Sequence, residues 1–241
     1  MVVNIPHSST LIPEKYAQNI LLSREELQRE LFISTDYDTD KMLEASPRLK
    51  LHIAEVSRLV CDTERFLDDS LEAMAALGRG AVYTKTSGGE SLRNLTDAQR
   101  DEIIERYYIP YHAGLTEKVA AELEEKDKAL VIDLHSFHHE NTTNPIAARE
   151  VEVCLGTDGF HTPDTLLELV RTHMEACGYR VAMDVPFSGT IVPMKFYQVD
   201  KRVSSIMLEI NRSVYFADAE KMNRLKEMLG GLVDRLNAAG W

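Results

Sequence analysis

No stretch of this chain is apolar for long enough to span a bilayer. Its longest apolar runs, such as Ala129-Leu130-Val131-Ile132 and Gly230-Gly231-Leu232-Val233, fall far short of the roughly 20 residues a membrane helix needs. No basic region precedes an apolar segment at the amino terminus, where Val2-Val3-Asn4-Ile5-Pro6 begins at once, so no signal peptide is expected. Cysteine is scarce. Cys61, Cys154 and Cys177 are odd in number, widely spaced and without a CxxC pair, which argues against a disulfide framework or a zinc knuckle. They read as thiols in a reducing compartment, and a cytoplasmic location is expected. Positive charge is short as well: 27 Lys and Arg stand against 39 Asp and Glu, a net charge of -12. Phosphate binding needs clustered Lys and Arg, so neither a nucleic acid nor a membrane is an expected partner. Much of the acid, as in Ala121-Glu122-Leu123-Glu124-Glu125, belongs to solvated helix faces.

What is present suffices for one sizeable core: 241 residues, 44% of them hydrophobic, with no repeat, low-complexity tract or linker. One domain over residues 1–241 is the simpler reading. Val2 to Ile5 reads as a short buried strand, and Ala129 to Leu134 as the clearest one. Further strands are expected around Leu51 to Cys61, at Ala81 to Thr86, Val151 to Leu155, Tyr179 to Val185, Ile191 to Tyr197 and Ser205 to Ile210. Ser23 with Glu26, and Thr96 with Gln99, are spaced as capping boxes that open helices. The second helix runs to about Lys126 and must kink or divide at Pro110. Thr162-Pro163 starts another, and the last helix covers Ala217 to about Ala238. Strands alternate with helices and are almost continuously apolar, the pattern of a parallel or mixed sheet covered on both faces.

Open α/β sheets carry their sites beyond the carboxyl ends of the strands. His7 follows the first strand, Asp133-Leu134-His135-Ser136 closes another, and Glu209 lies near the end of a third, followed by Asn211 and Arg212. One histidine after a strand is compatible with an ordinary hydrogen-bonded loop. Two histidines and a carboxylate at separate strand ends supply the ligands and base of a catalytic zinc site, in which water fills an open position.

Eight blocks in order resemble the N-formylglutamate amidohydrolase family, over nearly the whole chain. Ile5-Pro6-His7-Ser8-Ser9 is similar to its opening Pro-His turn, and Thr35-Asp36-Tyr37 to its Thr-Asp-aromatic segment. Ser57-Arg58-Leu59-Val60-Cys61-Asp62-Thr63-Glu64-Arg65 resembles a Ser-Arg-Phe-Val-Val-Asp-Leu-Asn-Arg stretch. Pro110-Tyr111-His112, Asp133-Leu134-His135-Ser136, Leu155-Gly156-Thr157 and Phe187-Ser188-Gly189 follow, and Glu209-Ile210-Asn211-Arg212-Ser213-Val214-Tyr215 matches the closing signature. The resemblance implies a phosphorylase/hydrolase-like three-layer α/β/α fold with a mixed, mostly parallel sheet, related to zinc carboxypeptidases and aspartoacylase-like deacylases. It implies one zinc ion, or another divalent metal, held by His7, His135 and an acidic group. The relatives' His-x-x-Glu pattern is missing, since His7-Ser8-Ser9-Thr10 has no carboxylate. Asp36 is the candidate in its place and Asp40 the alternative.

The resemblance also implies roles. Glu209 would be the general base; the bland reading is an ion pair with Arg212 or another cation. Arg65 would grip the substrate carboxylate through its planar fork. Arg58 would hold a second carboxylate or simply pair with Asp62, and Asn211 is carried over as a further substrate contact. His112 would orient a ligand or meet the tetrahedral intermediate, or else be a packed helix histidine. Asp133 would fix the metal loop, and the adjacent pair His138-His139 reads as rim. The specificity region departs from the pattern. Glu64 replaces an asparagine, Thr190 a glycine, and Pro193-Met194-Lys195 a Thr-Arg segment, with Lys195 the nearest cation able to supply the lost charge. The expected substrate is a small anionic N-acyl amino acid, with N-formylglutamate, from histidine breakdown, one candidate. A peptide-trimming carboxypeptidase and a non-catalytic binding protein on the same fold are the competing readings. The sequence leaves room for a homo-oligomer.

Overall fold

The computed structural model describes residues 1–139, 142 and 145–241, without the side chains of 146 and 147. The chain divides into two compact units, one of residues 1–5, 37–52 and 115–241, the other of residues 6–36 and 53–114.

The first unit is built on a six-stranded sheet. Its strands are β1 (Val2–Ile5), β2 (Lys50–Ile53), β3 (Ala129–Phe137), β4 (Val153–Gly156), β5 (Val181–Met183) and β6 (Val203–Asn211), in the order β2-β1-β3-β6-β4-β5. β1 with β3, β3 with β6, and β4 with β5 are parallel, whereas β4 runs antiparallel to β6. The sheet is therefore mixed and mostly parallel, as expected. β3 and β6 are buried along their whole length, because both faces are covered.

Alternation sorts each strand into two faces. Val3, Ile5, Leu130, Ile132, Leu134, Ile206, Leu208 and Ile210 pack against α6 (Asp164–Ala176) and α7 (Ala219–Ala238) through Leu166, Val170, Leu225, Leu229 and Leu232. The opposite residues, Val2, Ala129, Val131 and Val203, meet Leu115, Val119 and Leu123 of α4 (Ile109–Lys126), with Val192 and Phe196. Helices thus lie on both faces. α4 also carries a buried carboxylate: Glu122 takes the Met1 ammonium at 2.7 Å, Lys126 at 2.7 Å and Lys50 at 2.9 Å.

The second unit is rich in turns. It holds α1 (Glu14–Ala17), α2 (Arg24–Ser34) and α3 (Asp97–Ile103), around apolar clusters that include Tyr16, Val60, Cys61, Ala81, Tyr107 and, separately, Leu59, Tyr83 and Leu92. Both capping boxes form: Ser23 with Glu26, and Thr96 with Gln99. The long amphipathic stretch does divide, through a π-helical turn at Ile104–Tyr108. Pro110 follows that turn directly, so its missing N–H falls where the ordinary helical ladder is already interrupted.

Three strand expectations need correction. Of the run from Leu51 to Cys61 only the start is a strand, β2, and neither Ala81 to Thr86 nor Ile191 to Tyr197 forms one. The first two are apolar because they fill a core of turns, tied by bonds such as Asp62 N to Ala81 O at 2.9 Å. In the third, Val192 and Phe196 are buried four residues apart while the Phe196 and Tyr197 amides donate to Pro193 O, which is turn geometry. α5 (Pro145–Glu150) precedes β4. No helix among the described residues is long and apolar enough to cross a membrane, and all three cysteines are free.

Candidate active site

In the sheet unit, the face covered by α4 turns from apolar to polar toward the strands' carboxyl ends. β3 reads Ala129, Val131, then Asp133 and His135; β6 reads Val203, Ser205, Met207, then Glu209. The parallel register sets His135 directly beside Glu209, and Asn4 of β1 beside Asp133. All four side chains are buried. Asp133 is fixed from two sides, taking the Asn4 amide at 2.9 Å on Oδ1 and the Ile191 N–H at 3.0 Å on Oδ2. Its Oδ1 also meets Nε2 of His135 at 3.0 Å. A carboxylate only accepts, so Nε2 carries the proton and Nδ1 keeps its lone pair. Cys154 of β4 pairs with Glu209 from the other side, and its buried thiol is pushed up to about 11, chiefly by desolvation. That thiol is no nucleophile at neutral pH.

The second unit holds an independent cluster centred on Asp62. The chain enters it at Pro6, just after β1, so His7 stands two residues beyond the sheet. The Asp36 N–H donates to His7 O at 2.9 Å, and the Asp36 carboxylate lies 3.6 Å from His7 Nδ1. His7 Nε2 meets Asp62 Oδ1 at 2.8 Å. By the same reasoning that nitrogen is protonated, again leaving the lone pair on Nδ1. Arg58 donates to Asp62 Oδ2 through Nε at 3.0 Å and Nη2 at 2.7 Å, and Tyr83 donates its hydroxyl at 2.6 Å. Arg65 Nε stands off at 3.6 Å. Burial opposes charge on Asp62, but Arg58, His7 and Arg65 outweigh it and hold the carboxyl well below the usual range. For Arg65 too, burial is overcome, mainly by Asp62, and its pKa lies above the ordinary value. Burial raises the Tyr83 phenol, which therefore stays neutral and keeps the proton it donates to Asp62.

His112, on α4, is half-buried against Tyr108, with ring centroids 4.3 Å apart. Burial lowers its pKa, against a hydrogen bond with the Thr63 backbone that favours the charged form. Tyr108 OH donates to Arg65 O at 2.7 Å, so both aromatic residues brace the loop that carries Asp62.

The structure thus joins His7 with Asp36 and the Arg58–Asp62 pair in one unit, and His135 with Glu209 in the other. Asp40 lies half-buried in the 3-10 turn Thr39–Lys41. The Asn211 amide is taken up by backbone, donating to Val151 O at 2.8 Å and accepting from the Ser213 N–H at 3.0 Å. Lys195 is exposed, its ammonium 5.4 Å from the Phe196 ring. His138 and His139 stack on each other at 4.9 Å. Asn4 and Tyr83 were not anticipated. A polar residue inside the apolar run Val2-Val3-Asn4-Ile5 was a usable signal; nothing near Tyr83 announces its partner.

A histidine beside a glutamate at the ends of sheet strands, and in the other unit a histidine on an aspartate that Arg58 grips, are groups of the kind that hydrolytic enzymes of the α/β class use. The family model for N-formylglutamate amidohydrolase matches residues 1–216. The chain belongs to the N-formylglutamate amidohydrolase family and is an enzyme that hydrolyses an amide bond. An N-formylglutamate deformylase of Pseudomonas putida is 24% identical over 227 residues, spanning 91% of this chain and 83% of its own length. A crystal structure of N-formylglutamate amidohydrolase from Ralstonia eutropha JMP134 superposes with a TM-score of 0.85 at 25% identity, covering 99% of this chain and 92% of that one. The gene product Atu2144 of Agrobacterium tumefaciens, at 20% identity, 100% and 91% coverage and a TM-score of 0.72, shares the fold.

Proposed function

We propose that this enzyme hydrolyses the amide of a small N-acyl amino acid, with N-formylglutamate the first substrate to try, and that it does so with one divalent metal ion, zinc. His7, Asp36 and His135 are the residues that would hold the ion. The observation carrying this reading is shared by both histidines: each has Nε2 tied to a buried aspartate, at 2.8 Å for His7 and 3.0 Å for His135, which puts the proton on Nε2 and the lone pair a metal ion takes on Nδ1. Two neutral imidazoles and a carboxylate suit zinc and leave a position for water. Chain continuity supports the grouping, because His7 and Asp36 each lie within two residues of segments belonging to the sheet unit, Ile5 and Tyr37.

Bound zinc would supply Lewis acidity toward the carbonyl and bring the pKa of water at the site to about 7. Glu209, next to His135 in the sheet, takes the proton of the attacking water and hands it to the departing nitrogen. Arg65 binds the substrate carboxylate; it is the arginine whose Nε stands 3.6 Å from Asp62, whereas the Arg58 fork is occupied by that carboxylate. His112 orients the substrate from α4. Glu64 and Lys195 belong to specificity, which widens the candidates to other N-acyl amino acids.

The test is metal content of the purified protein, followed by turnover of N-formyl, N-acetyl and N-succinyl amino acids. About one zinc per chain, with turnover of at least one substrate that His135→Ala abolishes, is the expected result. A folded protein that takes up no metal and stays inert with added zinc would overturn the reading.

A further inference from the structure

Asp62 is fully buried, and its two oxygens do different work. Oδ1 faces His7 Nε2 at 2.8 Å and the Glu64 N–H at 3.1 Å. Oδ2 takes Arg58 and the Tyr83 hydroxyl, the latter at 2.6 Å. A carboxylate with both oxygens saturated cannot rotate without breaking several bonds at once, so the direction it offers His7 is set by what grips the far oxygen. Arg58 alone leaves the plane free to swing about its own flexible stem. Tyr83 does not share that freedom: its ring is 2% exposed and packed with Leu59 and Leu92.

Behind Tyr83 stands Arg93, a guanidinium only 1% exposed. Its Nε donates to Tyr83 O at 2.7 Å and its Nη2 to Val60 O at 2.8 Å, while Nη1 has no hydrogen-bond partner among the described residues. Desolvation pulls its pKa down to about 10. Burying a cation on carbonyls alone is unfavourable, yet these two carbonyls belong to the segments that carry Tyr83 and Asp62. Arg93 staples one segment to the other.

The geometry points to Tyr83 as a positioning residue, held by Arg93, that locks the Asp62 carboxylate so that His7 keeps its proton on Nε2 and presents Nδ1 to a metal ion. This rests on the reading of His7 as a metal ligand. Partners one step behind a ligand are typically worth 10- to 100-fold in metal affinity; Tyr83 acts one step further back, at the low end of that range.

The experiment measures zinc affinity by competition with a chromophoric chelator, with zinc alone as the probe. The apo protein is also examined by ring-15N histidine NMR. Tyr83→Phe is expected to weaken zinc binding about tenfold and to mix the two tautomers of His7. Tyr16→Phe, which removes another buried tyrosine hydroxyl bonded to a carboxylate, Glu102, is expected to stay within about twofold. Unchanged affinity and an unchanged His7 spectrum in Tyr83→Phe would overturn the assignment. So would a wild-type apo protein with the His7 proton on Nδ1. His7→Ala separates the two levels: if it leaves zinc binding intact, the metal reading fails; if it abolishes binding while Tyr83→Phe does not weaken it, only the role of Tyr83 fails. Should Tyr83→Phe not fold, Arg93→Lys is read in the same way. Lysine keeps the charge but has one nitrogen where Arg93 uses two held in a planar fork, and unaltered zinc affinity there overturns the proposal.

Discussion

Acid should weaken this protein through one carboxylate well away from the chemistry. Glu122, on α4, is about 1% exposed and surrounded by the Met1 ammonium, Lys50 and Lys126. Burial works against its charge, but hydrogen bonds from these three cations carry its pKa down from 4.5 to about 2. At about 1.4 kcal/mol per pH unit, that difference is worth roughly 3 kcal/mol. Because the folded pKa lies below the unfolded one, the contribution is complete above pH 4.5. It disappears as pH falls from there toward 2, with roughly half left near pH 3. The assay is urea denaturation of wild type and Glu122→Gln between pH 7 and 3. The variant should be about 3 kcal/mol less stable at pH 7, with the gap closing as the solution becomes acid. Other carboxylates titrate over the same range in both proteins and cancel in the difference. A gap under ~1 kcal/mol at pH 7, or one that stays constant with pH, would refute the reasoning.

Glu209→Gln should retain its zinc while kcat falls about 10²- to 10⁴-fold, checked by metal analysis beside steady-state kinetics; retained turnover would remove Glu209 as base. Arg65→Ala should lower kcat/KM about 10- to 100-fold, mainly through KM, for carboxylate-bearing substrates and far less for their amides; equal losses on both would remove the carboxylate clamp. Leu232→Ala, which opens a void between α7 and the sheet, should destabilise by about 2–5 kcal/mol in urea without altering KM.

Much of the scaffold was legible because its signals are local. β1, β3 and β6 are short apolar runs bounded by turn residues, and the capping boxes of α2 and α3 need only four residues each. The same reading failed at Ala81 to Thr86 and Ile191 to Tyr197, where apolar side chains fill turns; pattern reports burial and cannot distinguish a sheet from a packed loop. The antiparallel placement of β4 and β5 depends on long-range pairing that no local window contains. For the site, the histidines and carboxylates read at strand ends are buried side chains in the structure, His135 in register with Glu209 and His7 on Asp62. What stayed hidden were partners distant in sequence, namely Asn4 on Asp133 and Tyr83 on Asp62.

The pairing of β3 with β6 has an evolutionary consequence. Successive residues of a strand face opposite sides, so a deletion or insertion of one residue between Val203 and Glu209 that left β6 anchored at its start would swing Glu209 into the layer filled by Leu229 and Leu232. Point substitutions at the surrounding turns act in small steps, but Glu209 itself has no intermediate positions to occupy. Descendants of this chain keep Glu209 beside His135, or lose that pairing in a single event.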